Sequence, residues 1–118
     1  MSSNKFDILR QFYKENYSLG YLNIPDTKEH SSFERKLILI SLICYLVEKN
    51  KPKHPDLTHY ELIYKLNSKI SLPDDFIKGL AIVCEDFSYG CHTFPTFGLE
   101  GKDILKEIQA IMSSYVPF

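Results

Sequence analysis

The sequence predicts an all-α protein: a single compact five-helix bundle, one domain over residues 1–118, wrapped around a central helix at about residues 32–49. Three observations lead there. Residues 37–47 are apolar except at Ser41, so at about 100° per residue no polar face remains and the helix must be surrounded. The flanking segments repeat apolar residues at helical spacing behind recognisable start signals. No stretch alternates apolar and polar residues long enough to make a strand. Residues 91–97 come nearest, and Pro95 weakens them. The pattern implies that four shorter helices enclose the central rod and leave no furrow along it.

Ser3 caps a first helix to about residue 17, with Phe6, Leu9, Phe12, Tyr13 and Tyr17 on one arc and Asp7, Arg10, Gln11 and Lys14 opposite. Residues 18–30 hold Gly20 and Pro25 and read as a long connection, tacked down by Tyr21, Leu22 and Ile24. Ser31 and Glu34 then form an S-x-x-E capping box, in which each side chain satisfies a backbone N–H that the first turn would leave orphaned. At the far end Lys49 and Lys51 suit the negative end of the helix dipole, and Pro52 and Pro55 prevent continuation.

Thr58 and Glu61 make a second capping box, opening a short helix in which Ile63, Leu66 and Ile70 share a face. Pro73, Asp74 and Asp75 start another, running to about residue 88, because proline tolerates the first turn and acids favour its positive end. Phe76, Leu80, Val83 and Phe87 form its stripe, flanked by Ile77, Ala81 and Cys84. A glycine- and aromatic-rich segment at 89–101 leads to the last helix. There Ile104, Leu105, Ile108, Ile111, Met112 and Tyr115 fall within roughly 120°, and Pro117 closes it.

Composition narrows the class. Hydrophobic residues make up 44% and charged residues 25%, as in an ordinary globular domain rather than a disordered chain. The apolar run is shorter than the ~20 residues needed to cross a bilayer, which argues against a membrane role. The N-terminal residues lack the apolar core of a secretory signal, and the three cysteines are odd in number and irregularly spaced. Both features point to reduced thiols and a cytoplasmic setting, in a bacterium or a phage-infected host cell.

The net charge of −1 hides an asymmetry. Residues 1–72 carry eleven Lys/Arg against eight acids, whereas residues 73–118 carry three lysines against seven acids. The acidic end suits a basic partner and argues against nucleic acid there. The basic stretch at 49–54 offers a phosphate contact, but lysines at a helix C-terminus need no partner and no aromatic residue interleaves with them for base stacking.

Catalytic and cofactor signatures are sparse. No phosphate-binding glycine loop, H-E-x-x-H or G-x-S-x-G occurs, and no cofactor is expected. Cys84, Cys91 and His92 are the thiol and imidazole set that could hold a metal or supply a thiolate. Their C-x6-C-H spacing matches no common zinc pattern, and Cys44 and Cys84 lie on apolar surfaces, where a thiol packs as a small hydrophobe. The pairs Asp74–Asp75 and Glu85–Asp86 read as a helix start and a solvent face rather than as acid–base dyads.

Two features resist a purely architectural explanation. Ile82 projects between Asp75, Lys78, Glu85 and Asp86, away from the apolar stripe, like a hot spot with a charged rim. Residues 87–98 hold four aromatics, of which Phe94 and Phe97 are suited to plug the bundle and Tyr89 to meet a partner. The partner-binding set is therefore Asp75, Ile82, Glu85, Asp86, Tyr89 and Glu100. The expected function is that of a small non-catalytic protein-binding module, such as an inhibitor, an immunity-type protein or a phage-encoded antagonist. The competing expectation is a metal-binding or thiol-dependent enzyme using Cys84, Cys91 and His92. Self-association through the helical faces is also compatible with the sequence, which is silent on it.

Overall fold

The computed structural model describes residues 24–70, 72–89 and 94–114, with side chains at 67, 69, 70 and 86–89 excepted. Four α-helices and one 3-10 turn make up this region, and no strand occurs among the described residues. They are α1 (Ser32–Asn50), the 3-10 turn (Lys51–Lys53), α2 (His59–Ile70), α3 (Asp74–Tyr89) and α4 (Lys102–Ser113). The all-α class stands. The helix expected over residues 3–17 lies outside the described residues, as do Tyr21, Leu22, Tyr115 and Pro117.

α1 is the axis, and α2, α3 and α4 all pack against it. Its start is the expected box: the Glu34 amide donates to Ser31 Oγ at 3.2 Å, and the Ser31 amide donates to Glu34 Oε1 at 3.3 Å. The preceding connection is fastened by polar contacts. The Ser32 hydroxyl donates to the Ile24 carbonyl, and Arg35 donates to the Pro25 carbonyl at 2.6 Å and to Ser114 Oγ at 3.0 Å. Arg35 thereby ties the entry loop to the end of α4, and Ile24 is buried beneath it.

All residues from 37 to 44, together with Val47, are buried. Each fully enclosed Leu or Ile contributes about 1.5–3 kcal/mol relative to an exposed one, so this helix dominates the core. Ser41 is buried too, and its hydroxyl donates to the Pro95 carbonyl at 2.6 Å. That bond satisfies both groups and pins the segment before α4, where Phe94 is buried and Phe97 packs partly buried against the core. Phe97 (φ 55°) and Gly98 (φ 83°) both take positive φ, and the Leu99 amide closes the turn on the Thr96 carbonyl. Glycine adopts this geometry freely, whereas Phe97 is held there at some cost by its ring contacts.

α2 opens on its own box, with Thr58 N–H to Glu61 Oε1 at 3.0 Å and Glu61 N–H to Thr58 Oγ1 at 3.1 Å. The start of α3 is set by Pro73, whose carbonyl accepts from the Ile77 amide. α2 and α3 form the most extensive helix pair, with Leu62 and Ile63 facing the core from one and Phe76, Ile77, Leu80 and Val83 from the other.

Among the described residues the cover of α1 is uneven towards its C-terminal end. Tyr45 and Leu46 are only half-buried. At the C-terminal end of α1 an open cleft of about 660 Å³ lies between α1, α2 and the start of α4. The wheel shows which side chains want cover but not how far neighbouring helices extend. α2 and α4, at 12 residues each, are shorter than the 19-residue axis they flank.

Candidate functional site

Helical spacing puts Asp75, Lys78, Ile82 and Glu85 on one side of α3, opposite the core stripe. Asp75, Lys78 and Glu85 are exposed, and Ile82 is 49% exposed in the middle of them. Ile82 and Tyr64, which is 56% exposed on α2, are the exposed large hydrophobic residues among those described. A chain of contacts joins their two helices. The Tyr60 and Tyr64 rings lie 6.0 Å apart at 33°, the Tyr60 hydroxyl donates to Asp74 Oδ1 at 3.0 Å, and Asp74 Oδ2 meets Lys78 Nζ at 3.2 Å.

These contacts tune the groups that make them. The Tyr60 hydrogen bond, then the Lys78 ammonium, holds the Asp74 carboxyl below its usual range. Donation to Asp74 raises the Tyr60 phenol, and the Asp74 carboxylate raises the Lys78 ammonium. At neutral pH Asp74 is therefore a carboxylate with two fixed donors, one aromatic and one cationic. Tyr60, Tyr64, Glu61 and Asp74 line one shallow surface, and the exposed Ile82 stands on α3 about two helical turns beyond Asp74. From Asp74 to Glu85 the α3 part spans roughly 16 Å at 1.5 Å per residue.

Ile82, Asp75 and Glu85 thus share the outer side of α3, as sequence spacing implies. Asp86 and Tyr89 occupy the last turn of the same helix, with side chains outside the described set. Glu100 is exposed on a different element, one residue before Gly101, the N-cap of α4. Tyr60, Tyr64 and Asp74 escaped the sequence reading as interaction residues. The signal available was the i,i+4 tyrosine pair, which falls off the Ile63–Leu66 face of its helix.

Cys84 is fully buried and packs against Cys44, whose thiol also lies 3.9 Å from the Leu80 carbonyl. Burial, then the neighbouring Cys44 thiol, pushes the Cys84 thiol well above its usual range, so it remains protonated and unreactive. Cys91 and His92 lie outside the described residues. Among the described residues no three His, Cys, Asp or Glu side chains converge as a metal site requires, and no helix is long and apolar enough to cross a membrane.

The cleft at the end of α1 differs in character. Leu46, Val47, Leu62, Leu66 and Leu105 form an aliphatic floor. Lys49, Lys53, Lys65, Lys102 and His54 stand around it. Lys49, Lys53 and His54 belong to the basic stretch that the sequence presents simply as a solvated helix end. The chain matches no protein-family model, no curated protein and no solved structure.

Proposed function

We propose that the protein is a non-catalytic binding module that engages a larger, basic protein partner in the cytoplasm through the outer side of α3 and the adjoining tyrosines of α2. The observation that carries this reading is the exposure of Ile82 and Tyr64 on two neighbouring helices joined through Tyr60, Asp74 and Lys78. Tyrosine anchors and one aliphatic knob inside a polar rim match the composition of binding hot spots. The acids Asp75 and Glu85 flank that core on α3, and in this reading Asp86, Tyr89 and Glu100 belong to the same partner-binding set, with the acids steering a basic partner. Such a module acts as an inhibitor, an immunity-type protein or a phage-encoded antagonist. Residues 3–17 supply the fifth helix of the bundle in this reading.

The test is parallel affinity capture with the native chain, Ile82→Asp and Tyr64→Ala as baits, read by quantitative mass spectrometry. A partner held by the native chain and lost from both variants, while a Lys102→Gln bait retains it, supports the α3 side. Retention by all four baits removes that surface from the account.

A further inference from the structure

We propose that the cleft at the C-terminal end of α1 binds a free fatty carboxylate, with the chain on its leucine floor and the head group among its lysines. The floor offers van der Waals contact to an extended alkyl chain: Leu46 and Val47 come from α1, Leu62 and Leu66 from α2, and Leu105 from α4. Among the described residues no aromatic side chain lines the cleft, so they offer a nucleobase no ring to stack on. An aliphatic ligand fits this surface better than a nucleotide.

The charge around the floor is of one sign. Lys49, Lys53, Lys65 and Lys102 all line the cleft, and among the described residues no carboxylate does. Among the described residues none of these four lysines forms an ion pair. They come from four separate elements, so dipole matching at the end of α1 accounts for Lys49 but not for Lys65 or Lys102. Gly101 and Lys102 also bring the start of α4 to the cleft, and the Gly101 cap has no side-chain acceptor for the first-turn amides. Asp103 in the first turn of α4 offsets the positive end of that helix, so the lysines carry the charge of the cleft.

The volume, about 660 Å³, lies within the range of small-ligand sites, and the cleft is not enclosed, as a ligand with a solvated head requires. Charge and lining set this cleft apart from the acidic side of α3 and the adjoining tyrosines of α2, so the inference stands independently of the proposed function. Lys65 borders both surfaces and is left unchanged in the test.

Sodium decanoate, below its micellar concentration and at neutral pH and low salt, is titrated calorimetrically into the full chain. The expected result is saturable binding of one molecule per chain. Lys49→Gln with Lys102→Gln weakens it about tenfold or more, as loss of charge-assisted hydrogen bonds does, and decanol binds about tenfold more weakly than decanoate. Ile82→Asp leaves the titration unchanged. Lys49→Glu with Lys102→Glu gives a larger loss, and helical circular dichroism establishes that each variant is folded. Absence of saturable heat overturns the proposal. So do decanol or acetate binding as tightly as decanoate, unchanged affinity in the folded glutamine variant, or binding confined to phosphatidylglycerol vesicles.

Discussion

The Ser41 hydroxyl reaches across the core to the Pro95 carbonyl at 2.6 Å, joining the middle of α1 to the segment that leads into α4. It is the one polar side chain in the apolar run, and the contact explains its presence: a buried carbonyl without a donor is costly.

Ser41→Ala leaves that carbonyl unsatisfied and is expected to destabilise the fold by about 1–3 kcal/mol in urea unfolding. Ser41→Val adds bulk without restoring the donor and should cost at least as much. Equal stability of Ser41→Ala and the native chain contradicts the assigned role.

The capping box makes α1 acid-sensitive. The Ser31 backbone N–H, then its hydroxyl, holds the Glu34 carboxyl below its usual range, while partial desolvation opposes them. A depressed folded value means the contribution is full above the unfolded carboxylate value and fades as pH falls through the folded one. Ser31→Ala is expected to cost about 1 kcal/mol at neutral pH, and the difference from the native chain should shrink on acidification. Thermal melts of the two proteins at several pH values provide the measurement.

Tyr60→Phe keeps the ring beside Tyr64 and removes only the donor to Asp74. The Asp74 carboxyl is then expected to titrate closer to its ordinary value in a carbon-detected NMR titration, still held somewhat low by Lys78. Global stability should barely change, because the pair is solvent-exposed. An unmoved Asp74 titration contradicts the link between the two helices.

The buried thiols give a kinetic expectation. In a Cys91→Ser background, Cys44 and Cys84 should resist an aromatic disulfide reagent at neutral pH and react only as the protein opens, because both are inaccessible and Cys84 stays protonated. Rapid labelling of the folded chain contradicts the packing assigned to them.

Much of this architecture was legible in local patterns. Ser31–Glu34 and Thr58–Glu61 announce two helix starts because capping is decided within four residues, and both boxes form. The apolar residues 37–44 and the stripe Phe76, Leu80 and Val83 mark the core because helical periodicity depends on one element at a time. Ile82 stands out on the same wheel for the opposite reason.

The rest depends on how elements meet. The partner of Ser41 lies 54 residues away, and Tyr60 finds Asp74 only once α2 and α3 pack, so neither contact has a sequence signature. The same limit hid the cleft. Leu46 belongs to an apolar run whose pattern calls for enclosure, yet it is half-buried beside Lys49 and Lys53.

The most direct test of the binding account places a photoactivatable phenylalanine analogue at Ile82 and, separately, at Ala110, an exposed position on α4. Illumination of cells producing each variant is expected to give a discrete heavier adduct from position 82 and none from position 110. Equal adducts from both positions, or an adduct from Ala110 alone, contradict the assignment of the α3 side as the partner surface.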